Sequence, residues 1–151
     1  MTIRKATIRD AGLIAEFNAR LAEETEHRTL DLNILRRGVR ALLDDRTKGV
    51  YYLAMIDGVV AGQLAITYEW SDWRCGTFWW IQSVYVRKEY RKQGVFRALY
   101  RHVETLARGN KRVSGLRLYV EHENERAQKT YETLGMRRSA YEMYEKDFVL
   151  G

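Results

Sequence analysis

The run Arg91-Lys92-Gln93-Gly94-Val95-Phe96-Arg97 sets three cations around one glycine, between an apolar stretch ending at Val86 and an amphipathic one starting at Val95. That arrangement suits the capture of a polyanion. The first backbone N–H groups of a helix have no partner inside it, and its aligned peptide dipoles put partial positive charge at the same end. Ser, Thr, Asp and Asn usually accept from those N–H groups, and none stands at this helix opening. Arg91, Lys92 and Arg97 also carry the unfavourable sign for the positive end of a dipole. A diphosphate arriving from outside resolves both problems. Gly94 allows close backbone approach and an unusual backbone angle. The three cations supply charge-assisted contacts. The plain alternative is an ordinary strand-to-helix turn with a solvated basic face.

A second group lies about thirty residues on. Asn124 is placed to cap a short helix that carries Ala127, Tyr131 and Leu134 on one face. Tyr131 on that stripe reads first as a core side chain, but a phenol can also protonate a departing thiolate. Carboxylates that could take a proton from an amine are Glu69, Asp72, Glu121, Glu24 and Asp31, directly or through water. Among them Glu69 lies beside Trp70 and Trp73, whose faces could attract a cationic amine. His27, His102 and His122 are scattered without ligand spacing, so no metal is expected. Cys75 is the single cysteine, which rules out an internal disulfide; it reads as a buried or half-buried thiol.

These residues need a scaffold, and 151 residues are enough for one domain, expected to span residues 1–151. Hydrophobic content of 46% with 30% charged residues fits a water-soluble globular chain. No run has the length of a membrane span, and the opening residues lack the apolar core of a signal peptide, so a cytoplasmic address and no membrane partner are expected. The net charge of +6 points to anionic partners, and a phosphorylated small molecule competes there with nucleic acid. No DNA- or RNA-binding motif supports the latter, so no nucleic acid is expected.

Spacing predicts a strand at residues 2–9, a helix capped by Asp10, and a second helix from Asp31 burying Leu32, Leu35, Val39, Leu42 and Leu43. Residues 50–55 and 59–68 read as a hairpin about Asp57-Gly58. A long strand at residues 77–86 follows, then a helix from Val95 ended by Gly109-Asn110, a strand at residues 113–121, and the Asn124 helix stopped by Gly135. Residues 136–149 alternate loosely and read as one or two closing strands. The aromatic group Trp70, Trp73, Phe78, Trp79 and Trp80 reads as core or dimer contact more readily than as a substrate cage. The fold class is α/β, an α+β mixed sheet.

The chain resembles the GCN5-related N-acetyltransferases (GNAT) over nearly its full length. The most specific match is the Arg91 to Phe96 loop, similar to the family's acyl-CoA pyrophosphate loop; Phe96 stands where small residues are usual. The second is Asn124-Glu125-Arg126-Ala127 with Tyr131 and Gly135, similar to the family's Asn, Ala, Tyr, Gly helix. The resemblance implies the acyl-CoA N-acyltransferase fold: a mostly antiparallel central sheet splayed between its fourth and fifth strands, with helices on both faces. It implies acetyl-CoA as cosubstrate and a primary amine as acceptor. Gln93, Gly94, Val95, Phe96 and Arg97 would bind diphosphate through backbone N–H groups, with Arg91 and Lys92 adding charge. Val84, Tyr85 and Val86 would lie along the pantetheine arm, with main-chain bonds from Val84 and Val86. Asn124 would bond a pantetheine amide. Tyr131 would serve the leaving thiolate, and Glu69 is the candidate base. Many relatives carry a Glu on the strand before the loop; here Gln82 stands near that place and cannot act as a base. Homodimers are frequent in the family, so a homodimer is an open expectation. The alternative in another class is an acyl-CoA-binding regulatory domain without turnover.

Overall fold

The five strands of the sheet lie side by side in chain order, β1 to β5. The computed structural model describes residues 1–150. It divides into one unit, Met1–Tyr119, and a second from Val120 onward. In the first unit β1 (Thr2–Lys5), β2 (Val50–Ile56), β3 (Val59–Ser71) and β4 (Gly76–Val86) pair antiparallel, and β5 (Val113–Leu118) joins β4 in parallel. A parallel neighbour requires a crossover, and α3 (Val95–Arg108) provides it. The remaining helices of this unit are α1 (Ala11–Glu26) and α2 (Leu32–Leu43).

Turn chemistry fixes the register. Asp57 and Gly58 hold φ of 48° and 76°, the two left-handed residues of a tight hairpin turn, as their dipeptide predicts. Asp31 caps α2, accepting from the Asn33 and Ile34 N–H groups at 2.8 and 3.2 Å. Asp10 departs from expectation. It precedes α1 but makes no side-chain cap. Arg4 holds both of its oxygens at 2.9 Å and the Thr7 N–H donates to it at 2.7 Å, so the carboxylate ties β1 to the turn before α1. In α2 only Val39 is fully buried and Leu32 is exposed, so its apolar stripe is narrower than the spacing suggests.

Helices cover both faces of the sheet. The Tyr85 ring packs on Phe17 of α1, with centroids 5.1 Å apart. Neighbouring Val86 points the other way, and its Cγ2 shares with Val95 Cγ1 of α3 the space a Cβ on Gly62 would need. Gly62 thus lets the start of α3 settle against the β3–β4 pair: a Cβ there would lie 2.9 Å from the Tyr85 carbonyl and 3.0 Å from Val95. Phe17, Ile14, Leu53, Leu64, Ile66, Leu99 and Val103 are among the most buried side chains.

One irregularity bears on function. The β3–β4 ladder shifts register between Gln63 and Ala65, opposite Ser83 and Val84. Ser83 adopts φ of 51° there, costly for a residue with a Cβ. Fully buried Gln63 supports the bulge: its Nε2 donates to the Ser83 carbonyl at 3.0 Å and to Asn18 Oδ1 at 2.9 Å. Asn18 passes the connection on, its Nδ2 donating to the Tyr51 hydroxyl at 3.0 Å. Gln63 Oε1 is buried without a partner among the described residues.

The second unit contains α4 (Glu125–Thr133), whose cap is the predicted Asn124, with Oδ1 accepting from the Ala127 N–H at 3.1 Å. Gly135, at φ of 91°, ends it as expected. The predicted closing strands do not form. Residues 136–150 make no ladder with any described strand, and the paired apolar residues Met143-Tyr144 and Phe148-Val149-Leu150 break the alternation that would give a strand one buried face. No helix among the described residues is long and apolar enough to cross a membrane.

The bulge network yields a stability prediction. Gln63→Leu keeps the side-chain size but strips the Ser83 carbonyl and Asn18 of their donor, at about 1–3 kcal/mol. The urea midpoint should fall with an unchanged slope; an unaltered midpoint would show that the amide does not hold the bulge.

Candidate active site

After Val86 the chain makes one tight turn at Lys88–Tyr90 and enters the predicted loop. Arg91 is extended, Lys92 is left-handed at φ of 64°, and Gly94 is left-handed at φ of 79° and forms the N-cap of α3. Two left-handed residues so close together curl the backbone into a concave turn, the geometry that gathers N–H groups around an anion. No side chain caps the helix, and no acidic residue stands in its first turn. The Gly94 carbonyl accepts from the Ala98 N–H at 3.0 Å, which starts the helical ladder. A Cβ on Gly94 would meet nothing within 4 Å, so the outer side of the loop is open. An uncapped, open, cationic helix start fits a diphosphate.

The side chains keep clear of this face. Gln93 turns its amide back to the Glu89 carbonyl at 3.1 Å, so what it offers the loop is backbone. Val95 is buried and anchors the helix start. The Phe96 ring runs along α3 toward Tyr100, with centroids 6.2 Å apart, as its large size in this loop requires. Lys92 and Arg97 are exposed.

Arg91 has a second role that sequence reasoning missed. Its Nε donates to the Val86 carbonyl at 2.9 Å, its Nη2 pairs with Glu24 of α1 at 2.7 Å, and its guanidinium carbon lies 5.4 Å from the Tyr85 ring centre. The Tyr85 hydroxyl reaches the same carboxylate at 3.4 Å, and Lys88 stands 3.7 Å from it. Burial alone would raise the Glu24 pKa. The Arg91 hydrogen bond and the charges of Arg91 and Lys88 outweigh that and hold it below the ordinary glutamate value. A carboxylate so held is a poor proton acceptor, which weighs against Glu24 as the base. Its work is to join the last turn of α1 to the loop.

The β4 strand leaves its parallel partner early. Pairing with β5 runs from Thr77–Val113 to Ile81–Leu118; beyond it Gln82, Tyr85 and Val86 pair only with β3, and Ser83 and Val84 form the bulge. Val84 and Val86 therefore carry backbone on the β5 side without a β5 partner among the described residues. The ladder with β5 thus stops just before the bulge at Ser83. The Tyr85 side chain faces α1 and is buried, so any contact from this residue along the gap is through its main chain.

Glu69 lies elsewhere on the sheet. It pairs with Phe78, eight residues before Val86, roughly 25 Å along the strand. Its Oε1 takes the Trp80 indole N–H at 3.2 Å and the Arg117 guanidinium at 2.5 Å. Arg117 also lies over the Phe78 ring at 3.6 Å. Neither contact uses Oε2. Two other candidate bases have structural duties: Asp72 accepts from the Trp70 indole at 2.6 Å, and Asp31 caps α2. Glu121 is exposed. Trp70 and Trp73 are exposed rather than core, while Phe78 is buried and Trp79 and Trp80 are half-buried. Cys75, expected to be at least half-buried, is exposed at the end of the turn Asp72–Arg74. An apolar cavity of about 290 Å³ lies between α1, α2 and β2, lined by Asn18, Ile34, Leu35, Val39, Leu42 and Tyr51 among others.

Tyr131 and Asn124 belong to the second unit. Tyr131 is half-buried on α4, and burial pushes its phenol above the ordinary tyrosine pKa, so it remains a proton donor at neutral pH. Asn124 is used as a helix cap.

Arg91 of the loop and Lys88 of the turn before it should differ in effect. Arg91→Met removes a charge and three contacts, whereas Lys88→Met removes a charge and one long ion pair, at 3.7 Å, on a side chain 73% exposed. Coenzyme A affinity measured by calorimetry should fall about tenfold in the first variant and about twofold in the second. Equal losses would reduce Arg91 to a simple surface charge.

No curated protein matches the chain. Solved structures do. A possible acetyltransferase from Clostridium difficile 630 is 47% identical with a TM-score of 0.92, covering 98% of this chain and 97% of that one. A predicted acetyltransferase with acetyl-CoA from Clostridium acetobutylicum shares the fold at 16% identity and a TM-score of 0.79, covering 96% and 95%. A ribosomal-protein-alanine N-acetyltransferase from Brucella melitensis biovar Abortus 2308 shares it at 21% and 0.77, covering 97% and 98%. Residues 14–136 match the family model described as Acetyltransferase (GNAT) family, and the chain belongs to that family.

Proposed function

We propose that this protein is a single-domain N-acetyltransferase that moves an acetyl group from acetyl-CoA to a primary amine. The observation that carries the reading is the uncapped, cation-flanked start of α3 at left-handed Gly94, directly after a strand whose β5-side backbone is unpaired. The diphosphate rests on N–H groups of residues 93–97. The pantetheine arm extends along residues 84–86, bonding the main chain of Val84 and Val86. Asn124 contributes to the same arm.

Catalysis then asks two things of the side chains. The attacking amine must shed a proton, and Glu69 Oε2 or a water beside it is the proposed acceptor. As the amine nitrogen bonds to the carbonyl carbon, the carbon–sulfur bond breaks and the sulfur needs a proton. Tyr131 supplies it, and its raised pKa keeps that proton in place until it is required. The acceptor enters from the side of α1 and α2.

Two measurements test this. Thiol release with a panel of amines separates turnover from mere binding: coenzyme A binding with no thiol released for any amine would favour a regulatory acyl-CoA-binding domain. Tyr131→Phe should lower turnover on the order of 10²-fold while coenzyme A affinity stays within about twofold. Unchanged turnover across pH would remove Tyr131 from the mechanism. Gly94→Ala must adopt a left-handed angle at about 1–2 kcal/mol; it should fold, melt a few degrees lower, and bind coenzyme A more weakly than it loses stability.

A further inference from the structure

Gly38 sits in the interior of α2, where glycine weakens a helix, and nothing in the fold asks for it. Its φ is not left-handed, and a Cβ there would meet nothing within 4 Å. Neither backbone geometry nor packing therefore requires the missing side chain. Ile34, Gly38 and Leu42 follow one another at helical spacing, so the glycine leaves a gap in an apolar row. That gap borders the cavity of about 290 Å³ between α1, α2 and β2, whose lining residues all belong to the first unit and carry no charge. The cavity wall also holds a buried donor. Tyr51 is 4% exposed, and its hydroxyl accepts from Asn18 Nδ2. The hydroxyl's own proton has no acceptor among the described residues. Buried donors are normally partnered, and a group placed in the cavity would provide the acceptor.

We infer that this cavity holds the apolar body of the amine acceptor: a primary amine carrying one uncharged ring or branched alkyl group, with a carbonyl or hydroxyl oxygen beside it. The assignment rests on the acetyl transfer proposed above. Position favours the acceptor over an unrelated ligand. Asn18 in the cavity wall lies next to the β4 bulge, because one nitrogen, Gln63 Nε2, donates both to Asn18 Oδ1 at 2.9 Å and to the Ser83 carbonyl at 3.0 Å. Past Ser83, β4 has no β5 partner among the described residues, and this is the segment proposed to carry the pantetheine arm. The walls set the chemistry. An apolar lining stabilises a hydrocarbon group by removing its surface from water. A further ammonium group would lose its hydration with no carboxylate in the lining to receive it, which disfavours polyamines and aminoglycosides. The volume lies at the low end of the range for ligand pockets, about 300–1,000 Å³, and suits one ring or branched group. The Tyr51 proton accounts for the oxygen.

Phenylalaninamide and glycinamide share the amine and the carbonyl and differ in the apolar body; spermidine serves as the polycation. With acetyl-CoA saturating, thiol release should give phenylalaninamide a kcat/KM about 20-fold above either of the others. Gly38→Leu closes the gap with a strong helix former. It should raise the urea midpoint, leave coenzyme A affinity within about twofold, and cut the preference over glycinamide to about threefold. Gly38→Ala should act in the same directions more weakly. A merely structural glycine would not give higher stability together with lost preference. Calorimetry on the coenzyme A complex reads the cavity without turnover: phenylalaninamide should bind about tenfold more tightly than glycinamide, and Gly38→Leu should abolish the difference. Equal kcat/KM for the three amines, or a preference that survives Gly38→Leu, would overturn the inference and leave acetyl transfer standing. No thiol release from any amine would overturn both.

Discussion

A helix that begins with bare backbone polarity must find its counter-charge somewhere, and the architecture of the first unit follows from where α3 is made to begin. Gly94 takes the left-handed angle that turns the chain into the helix without supplying a capping oxygen. Val95 drops into the space left by Gly62, which fixes the first turn against the β3–β4 pair. The polarity is thereby aimed outward and cannot relax by tilting the helix. Arg91, Lys92 and Arg97 raise the positive potential at a place where a folded chain on its own would favour a carboxylate. Stability alone does not account for that choice, whereas the proposed binding of a diphosphate would.

The loop before α3 is tied to the rest of the fold at two points. On the α1 side, the Glu24–Arg91 pair draws the last turn of the helix to the loop, and Arg91 in turn holds the end of β4 through the Val86 carbonyl. Within the sheet, the bulge at Ser83 changes the direction of β4 just where β5 ceases to pair with it. A left-handed Ser and a fully buried Gln are both costly. The buried amide of Gln63 meets the carbonyl that the bulge turns inward, so one cost is set against the other. The result is a strand end with its backbone open on one side and firmly held on the other, adjoining the cradle.

How much of this the sequence disclosed depends on the range of the forces involved. Local chemistry was legible: Asp57-Gly58 dictates its turn, Asp31 and Asn124 cap the helices they precede, and Gly94 marks the loop. Where a local preference competed with a distant partner, the reading failed. Asp10 looked like a cap but is claimed by Arg4. Glu24 stood among the candidate bases but answers Arg91, 67 residues away. The closing strands were inferred from loose alternation, and alternation does not make a strand where no neighbour offers a ladder. Gln63 left the one legible sign of a long-range contact, a single amide inside the apolar run from Val59 to Ile66.

The basic balance of the chain takes its meaning from these contacts. Arg4, Arg20, Lys48, Arg108 and Arg117 are each paired with a carboxylate, so part of the positive charge is answered internally. Arg87 is committed as well, donating to the Val60 carbonyl at 2.7 Å with its guanidinium over the Phe17 ring. At the loop the balance differs. Glu24 is the carboxylate that pairs with both Arg91 and Lys88, while Lys92 and Arg97 are exposed near the positive end of α3. A net charge spread evenly over a surface attracts any polyanion weakly. The same excess gathered at one uncapped helix start selects a compact, highly charged group small enough to contact several N–H groups together, which is why a diphosphate suits this site better than the widely spaced phosphates of a nucleic acid.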